Sequence, residues 1–322
     1  MSDAIQVSLC LTAFNRAHLL PGTLDSILVQ SFPDFELIIN DDCSKDQTQE
    51  VCLEYMQRDS RIKYFRNETN LNMPGNLNAA LRRAKGEYIA NLHDGDVFHH
   101  DLIRKWKKAL ETYPSAGFVF NACRGIDQKG KEHIYREIYP PLISGQVLAQ
   151  RLLSRWDSCV YGMVMVRRAV YETLGFFDLQ FGNYSDVDMW LRIAKEFDIA
   201  YIDEPLIDLM PTDPSRFYAF VHWKVVFWIL GIHTANLKRY KHIMPGITKK
   251  LARRFPLRRL VYFLKHMALC LKHLRWDRVR EGLAIWRDAD DVVLRILGFL
   301  FGNPQDAPDW YVTDYWKMAR LP

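Results

Sequence analysis

Strand-forming and helix-forming segments alternate from the N-terminus of this chain to about residue 202. Runs rich in β-branched and aromatic residues predict strands at residues 5–12, 35–40, 61–65, 86–92, 116–122, 159–166 and 199–202. Residues with helical spacing predict helices at residues 18–30, 48–58, 77–84, 101–112, 144–153 and 186–197. Strands that alternate with helices require right-handed crossovers. The alternation therefore predicts an α/β fold with a mostly parallel sheet that is flanked by helices.

Polar residues follow several of the predicted strands at the point where each strand ends. Thr12 ends the first strand, Asp42 follows the second, and Asp94 and Asp96 follow the fourth. Open α/β sheets bind their ligands at the carboxyl ends of the strands. We therefore expect these four residues to lie along one rim of the sheet and to mark a ligand site.

The segment Asp94-Gly95-Asp96 places two carboxylates on a tight turn after a buried strand. Carboxylate oxygens are suitable ligands for Mg²⁺ or Mn²⁺, and an ion held by few protein oxygens completes its coordination with phosphate oxygens or water. This pattern favours a substrate that carries a diphosphate. The alternative is a polar turn in which Gly95 supplies a positive φ and both acids are solvated.

The composition excludes a disordered chain and indicates a reducing compartment. Apolar residues make up 49% of the 322 residues and charged residues 25%, which is enough apolar surface for one or two cores. The six cysteines form no Cys-x-x-Cys pair and no even framework, so we expect reduced thiols. We see neither a basic leader nor a run of about 18 apolar residues. A cytoplasmic protein is therefore expected.

The charge is distributed unevenly along the chain. Of the 43 Lys and Arg residues, 14 lie between Ala235 and Arg280, against one of the 38 acids, Asp277. The remainder therefore holds 29 bases and 37 acids, and the body of the protein is mildly acidic. We place a domain boundary near Pro214, because no further strand is predicted beyond it. Residues 215–322 are expected to form a basic helical region, with an amphipathic segment at 257–274 and a short apolar helix at 292–301 that is interrupted by Arg295.

The basic region has three interpretations. Its apolar residues would pack on the catalytic body, its cations would bind nucleic acid, or it would attach to an anionic membrane surface as a peripheral element. We find no nucleic-acid-binding motif, so we expect no nucleic-acid partner. Membrane attachment at the cytoplasmic face is the preferred interpretation, and a homo-oligomer is left open.

Four motifs occur together in residues 5–209. They are residues 7–16 (VSLCLTAFNR), 39–46 (INDDCSKD), 86–89 (GEYI) before Asp94-Gly95-Asp96, and 185–192 (SDVDMWLR). Their order and spacing resemble the family 2 inverting glycosyltransferases of GT-A fold. The resemblance implies a Rossmann-like catalytic domain over residues 1–214, with a nucleotide-binding half at 1–97 and an acceptor half at 98–214. It also implies a nucleotide-diphosphate sugar as donor, UDP-sugar being favoured, and Mn²⁺ or Mg²⁺ as cofactor.

The resemblance assigns roles to five residues on the expected rim. Thr12 and Asn15 would lie by the nucleotide, and Asp42 would accept a hydrogen bond from N3–H of the uracil ring. Asp96 would bind the metal directly, with Asp94 nearer the ribose or a metal-bound water. The choice between the two acids stays open, because the family often reads Asp-Ala-Asp-Asp.

Three residues at this rim have alternative interpretations. Asp41 and Asp42 could each be a helix N-terminal cap; we favour Asp42 as a nucleotide ligand and leave Asp41 as a cap or as a partner of a ligand-binding residue. His93 stands where the family has its first Asp and would bind the metal, although a histidine at a strand end is more often packed or solvated.

The family's catalytic base corresponds to Asp186. An inverting transfer needs a carboxylate that takes the proton from the acceptor hydroxyl. Ser185 stands where the family usually has Glu. Asp188 lies two residues further along the helix, and residues i and i+2 do not share a helix face, so one of the two acids should point away from the site. The alternative is that both acids only favour the helix N-terminus.

We therefore expect a metal-dependent glycosyltransferase that adds single sugars to a glycan or lipid-linked acceptor of a surface polysaccharide. No Gln-x-x-Arg-Trp motif of processive synthases is present. One alternative is a nucleotidyltransferase acting on sugar phosphates, but residues 12–16 lack the glycine of a phosphate loop. Another is a non-catalytic binding protein of the same fold, which the presence of Asp42, Asp96 and Asp186 disfavours.

Overall fold

The computed structural model describes residues 5–126, 131–155, 158–210 and 223–253. The chain divides into two compact units, one of residues 1–152 and 157–211 and one of residues 153–156 and 212–322. The predicted boundary near Pro214 and the predicted segments 257–274 and 292–301 lie outside the described residues. The domain limits therefore stay predictions.

The first unit is built on a sheet to which ten described strands contribute. The strands are β1 Val7–Ala13, β2 Phe35–Asp41, β3 Ile62–Arg66, β4 Tyr88–His93, β5 Val97–Phe98, β6 Ala116–Ile126, β7 Glu132–Tyr135, β8 Leu142–Ile143, β9 Val164–Arg167 and β10 Asp198–Leu209. Every residue of β1 and β2 is buried, as expected for parallel strands covered on both faces.

The strand order is β3-β2-β1-β4-β9-β6-β10-β5, with β7 paired to β6 and β8 to β10. The pairs among β3, β2, β1 and β4 are parallel, as is the pair of β6 with β10. Strand β9 runs antiparallel between β4 and β6. The short strands β5, β7 and β8 were not predicted, and β9 covers only the last part of the predicted strand at 159–166.

Helices cover both faces of the sheet. They are α1 Leu20–Leu28, α2 Thr48–Arg58, α3 Asn72–Leu81, α4 Leu102–Thr112, α5 Gly145–Ser154, α6 Arg168–Leu174 and α7 Ser185–Glu196, with a 3₁₀ helix at Leu179–Tyr184. Alternate residues of β1, such as Leu9 and Leu11, pack with α1, α2 and α4 in one core, because successive strand side chains point to opposite faces. On the other face, Trp190 of α7 stacks on Phe118 of β6.

In the second unit, the structure describes α8 Trp223–Tyr240 and a further helix at 245–253. Their described residues include part of the predicted basic region, among them Lys238, Arg239 and Lys249. Among the described residues, no helix is both long and apolar enough to cross a bilayer.

Candidate active site

Three loops meet at the carboxyl ends of β1, β2 and β4. Thr12 pairs with Asn40 of β2 on one side and with His93 of β4 on the other. The N–H of Asp42 donates to the carbonyl of Ala13 over 2.9 Å. The parallel register therefore brings Thr12, Asp42 and the Asp94-Gly95-Asp96 turn to one rim.

The loops of this rim contain an unusual backbone conformation. Asn15, Cys43 and Asn72 have φ values of 51°, 62° and 55°, and they are the only non-glycine residues with positive φ in the described part of the chain. Each such residue costs on the order of 1–3 kcal/mol and persists only where its surroundings enforce it. The concentration of this strain at one rim is typical of a functional site.

Asn15 connects the loop after β1 to the loop after β2. Its N–H donates to Ser44 Oγ over 2.9 Å, and its Oδ1 accepts from the N–H of Lys45 over 2.7 Å. Asn15 therefore fixes the shape of the predicted nucleotide site, and its amide oxygen is used within the protein.

Asp42 is buried and accepts three hydrogen bonds. Oδ1 accepts from Asn67 Nδ2 over 2.9 Å and from the N–H of Leu71 over 2.7 Å, and Oδ2 accepts from the N–H of Asn72 over 2.8 Å. A carboxylate has about four acceptor positions. The predicted bond from a uracil ring would use the remaining position, on Oδ2.

Asp41 is fully buried and accepts hydrogen bonds from two neighbouring residues. Ser44 donates to Oδ1 through both its N–H and its hydroxyl, and Tyr64 donates its hydroxyl to Oδ2 over 2.7 Å. Arg66 Nε lies 3.4 Å from Oδ2. Asp41 thus shapes the loop after β2. It does not cap α2, whose N-cap position is Gln47, so of the two roles considered for it only that of a partner remains.

The turn after β4 depends on Gly95. Its φ is +97°, and an added Cβ would lie 2.7 Å from Met210 Sδ. Thr23 of α1 holds this turn, because its hydroxyl accepts from the N–H of Gly95 and donates to the carbonyl of Asp96, each over 2.9 Å. The side chain of Thr23 therefore fixes the backbone that carries the two acids relative to α1.

Asp94 lies against the loop after β1. Its Oδ2 accepts from the N–H of Phe14 over 3.2 Å, and Arg16 Nη1 lies 3.5 Å from its Oδ1. Burial raises the pKa of the Asp94 carboxyl, and the Arg16 charge and the Phe14 N–H act in the opposite direction.

Arg16 is a site residue to which the sequence assigned no role. It is 6% exposed, its Nη1 donates to the Asp94 carbonyl over 3.1 Å, and its buried Nη2 has no hydrogen-bond partner within the described part of the chain. A buried cation needs an anionic partner. No local pattern in the sequence identifies this partner, because Asp94 lies 78 residues away.

Asp96 is buried and has few partners. Oδ1 accepts from the N–H of Met210 over 2.9 Å, and this is its one hydrogen bond in the described part of the chain. Burial raises the pKa of the carboxyl to about 6, although the Met210 N–H and the Arg16 charge lower it. Asp96 therefore has an unused oxygen and a poorly compensated charge, which suits a cation ligand.

The donor set fits a divalent cation that is held partly by its substrate. The described residues contain no group of three or more His, Cys, Asp or Glu side chains that would hold a metal alone. Mg²⁺ is commonly bound by one or two carboxylates together with substrate phosphates. Asp96 and Asp94 are such a pair, and Asp96 has the freer carboxylate.

His93 packs against the loop before β9. A Cβ added at Gly162 would lie 2.8 Å from His93 Cε1, and burial lowers the pKa of the ring. The ring is therefore covered by backbone at Gly162, which matches the packed interpretation of this histidine.

Asp186 and Asp188 lie on the first turn of α7 in different surroundings. Asp188 is 1% exposed and pairs with Arg192 Nε over 2.9 Å, while Arg192 also donates to the carbonyls of Leu174 and Phe176. Asp186 is partly exposed and accepts from the N–H of Val187 over 2.8 Å. The two acids thus have different roles, and Asp188 holds the turn before the 3₁₀ helix.

The Asp186 carboxyl has the properties of a proton acceptor. Burial raises its pKa to about 7, with the Val187 N–H acting weakly in the opposite direction. A base is most effective with a pKa near the working pH. Within the described part of the chain, no hydrogen bond joins Asp186 to the five predicted residues of the rim.

The chain matches the family described as Glycosyl transferase family 2 over residues 8–175. It is 28% identical over 199 residues to a putative glycosyltransferase, EpsE, of Bacillus subtilis, covering 61% of this chain and 69% of that protein. It is 38% identical over 201 residues to a Campylobacter jejuni GalNAc(5)-diNAcBac-PP-undecaprenol beta-1,3-glucosyltransferase, covering 59% and 60%.

Solved structures share the fold at low identity. TarS 1-349 of S. aureus in complex with UDP superposes with a TM-score of 0.54 at 16% identity, covering 88% of this chain and 92% of that one. The mannosyltransferase PcManGT of Pyrobaculum calidifontis, in complex with GDP-Man and Mn²⁺, superposes with a TM-score of 0.60 at 18% identity, covering 98% and 85%. The predicted GT-A fold is confirmed. Because the family match spans more than half of its residues, this chain belongs to glycosyl transferase family 2 and is a glycosyltransferase.

Proposed function

We propose that this glycosyltransferase moves a single sugar from a UDP-sugar to a hydroxyl of a glycan or lipid-linked acceptor, with inversion at the anomeric carbon. The observation that carries the proposal is the buried Asp96, which among the described residues keeps an oxygen free at the same rim as Arg16, whose Nη2 has no hydrogen-bond partner among them. A carboxylate beside an unused guanidinium donor suits a metal–diphosphate group, which presents both a cation and phosphate oxygens.

The structural neighbours and the contacts of Asp42 both support a UDP-sugar as donor. The structural neighbours were solved with UDP, with UDP-GlcNAc and with GDP-Man and Mn²⁺. In this chain, the remaining acceptor position of Asp42 suits the N3–H of uracil, because an unmatched buried polar edge costs about 1–3 kcal/mol. We therefore favour UDP over GDP.

The metal would be held by Asp96, with Asp94 beside it, and would neutralise charge on the departing diphosphate. Arg16 would donate to a diphosphate oxygen through Nη2. Thr23 keeps both acids in place by binding the backbone on either side of Gly95. The protein thus supplies fixed charges of both signs at the leaving group.

Asp186 would act as general base. With a pKa of about 7, its carboxylate is available at neutral pH and strong enough to take the acceptor's proton. The amino-terminal end of α7 and the backbone N–H of Val187 stabilise the carboxylate form. The proton moves from the acceptor hydroxyl to a carboxylate oxygen of Asp186 as the hydroxyl oxygen bonds to the anomeric carbon of the sugar. The bond from that carbon to the diphosphate oxygen breaks, and UDP leaves with the bonding electron pair.

The name of one relative supports the proposed class of acceptor. The Campylobacter relative is named for a substrate carried on PP-undecaprenol, and we propose a related role in polysaccharide synthesis at the cytoplasmic face of a membrane. The 14 cations between Ala235 and Arg280 would hold the enzyme on anionic lipid at about 1 kcal/mol per Lys or Arg near the surface. Sedimentation with anionic but not neutral liposomes, reversed by salt, tests this attachment.

The test of the function is a thermal-shift screen of nucleotide sugars with and without Mn²⁺, followed by transfer assays. A UDP-sugar should stabilise the protein in a Mn²⁺-dependent manner, by about 2.7 kcal/mol at a hundredfold excess over its Kd. Asp96→Ala should lose this stabilisation and reduce transfer by at least about 10²–10³-fold.

The exposed Asp34 provides a matched control through Asp34→Ala, since it directly precedes the amino-terminal end of β2, whereas the rim lies at the carboxyl ends of the strands. If Asp96→Ala binds UDP with unchanged Mn²⁺ dependence, the metal assignment is wrong. If no nucleotide sugar stabilises the wild type, the donor assignment is wrong.

A further inference from the structure

A cavity of about 210 Å³ lies in the first unit beside β6, β7 and β10. Four aromatic residues line it: Phe120, Tyr135, Tyr161 and Tyr201. They form two ring pairs, Phe120 with Tyr201 at 4.9 Å between centroids and Tyr135 with Tyr161 at 5.5 Å. None of these residues belongs to the donor site described above.

Two sets of contacts connect the wall of the cavity to the rim. Tyr161 precedes Gly162, which packs on the ring of His93, and His93 directly precedes Asp94. Tyr135 covers Gly125, where an added Cβ would lie 2.8 Å from the tyrosine ring and 3.7 Å from Leu209 Cβ. Leu209 precedes Met210, whose N–H binds Asp96. The aromatic cavity is therefore adjacent to the acids of the candidate active site.

The polar groups of the cavity carry both signs of charge. Arg151 pairs with Glu137 over 2.8 Å, and Arg136 lies 3.6 Å from Asp203. The distance between Arg136 and Asp203 is too long for a hydrogen bond, so among the described residues this acid leaves the guanidinium donors for a ligand. The charged residues that line the cavity are Arg136, Arg151 and Glu137, and together they offer donors and acceptors to the hydroxyl groups of a ligand.

We propose that this cavity binds one sugar ring of the acceptor glycan, which orients the acceptor toward Asp94 and Asp96. The inference rests on the proposed function and deepens it. Sugar rings have apolar faces and polar edges, and Tyr rings beside Arg and Glu match both. The cavity volume is smaller than that of sites for drug-sized ligands, which is roughly 300–1,000 Å³. The cavity therefore suits a single sugar ring.

The test measures binding of methyl glycosides of glucose, galactose, mannose and N-acetylglucosamine to the full chain with UDP and Mn²⁺, by saturation-transfer NMR. At least one glycoside should bind the wild type. Tyr161→Ala should weaken that binding about tenfold, or about 1.4 kcal/mol, and Tyr161→Phe should retain most of it because the ring remains. Tyr161 is 41% exposed, so its truncation should leave the fold intact.

Ile138→Ala is the matched control, because Ile138 is 99% exposed and does not line the cavity. The proposal is overturned if no glycoside binds, or if Tyr161→Ala and Ile138→Ala bind alike. It is also overturned if Tyr161→Ala lowers the affinity for a UDP-sugar more than the affinity for UDP, since the cavity would then hold the sugar of the donor. Failure of the proposed function would give a different result, in which UDP and Mn²⁺ do not bind the wild-type protein.

Discussion

Two pairs of acids have opposite surroundings: Asp42 and Asp46 in the loop after β2, and Asp96 after β4 with Asp186 at the start of α7. Asp42 accepts three hydrogen bonds, and Asp46 accepts from Ala17 and from both the N–H and the hydroxyl of Thr48. Asp96 and Asp186 each accept one from another residue within the described part of the chain. Burial alone would raise the pKa of Asp46, yet its hydrogen bonds lower it. The pKa of Asp96 rises to about 6 and that of Asp186 to about 7.

The difference separates acids that stabilise loops from acids that are prepared for a ligand. A carboxylate with several N–H donors has its charge compensated within the protein, so its loss should reduce stability. A buried carboxylate with one donor has charge left for a cation or a proton, so its loss should affect turnover instead.

The largest expected effect is on turnover. Asp186→Asn should reduce kcat by about 10²–10⁴-fold, because the amide keeps the shape of the side chain and cannot accept the acceptor's proton. The affinity for UDP with Mn²⁺ should stay unchanged, since Asp186 does not belong to the rim. Steady-state transfer assays and UDP titrations measure the two quantities.

The second prediction concerns Asp188, where we expect a loss of stability and not of turnover. Asp188→Asn should lower the free energy of unfolding by about 3–5 kcal/mol, because Arg192 would remain buried without its ion pair. Urea unfolding measures the loss, and the protein that remains folded should keep its turnover. A large turnover loss in Asp188→Asn with a nearly normal Asp186→Asn would move the base to Asp188.

The comparison also shows what the sequence could and could not predict. Strands β1, β2 and β4 are rich in apolar strand-forming residues, so their carboxyl ends and the rim acids followed from local pattern. Strands β5 and β7 contain two and four residues, too few for a periodic pattern. Helix α3 begins at Asn72, where a loop was predicted, because the Asn-rich segment is held by contacts with Asp42.

The partners of the site residues could not be predicted from the sequence. The Arg16–Asp94 contact spans 78 residues and the Met210–Asp96 bond spans 114. No local pattern reports such pairs, although they decide which acid keeps an unused oxygen. Helix geometry did predict that Asp186 and Asp188 would differ, but the choice between them depended on Arg192 and its carbonyl partners.

The smallest expected effect is on the pH dependence of stability, and it has opposite signs in two acids. The pKa of Asp186 is about 7 in the folded protein and 3.8 for an ordinary Asp. The folded state therefore holds this proton more tightly. The stability that results is present below about pH 4 and is lost as the pH rises through 7.

Asp186→Asn mimics the protonated form, so it should match the wild type near pH 4 and exceed it by about 1–3 kcal/mol at pH 8. This range lies below the full value of the shift, because the side chain is partly exposed and solvent screens its charge. Thermal unfolding of both proteins between pH 4 and pH 8 measures the difference. Equal pH profiles would show that burial does not perturb Asp186.

Glu36 provides the opposite case on the same sheet. Although burial acts to raise its pKa, hydrogen bonds from Lys63, Ser8 and the N–H of Lys85 lower it. Its contribution to stability is therefore present above the ordinary pKa of 4.5 and is lost as the pH falls through the lower folded value. Glu36→Gln should be less stable than the wild type at pH 8 and lose that deficit in acid. Opposite slopes for Glu36→Gln and Asp186→Asn would show that the hydrogen bonds around each carboxylate, rather than burial alone, decide whether its charge stabilises the fold.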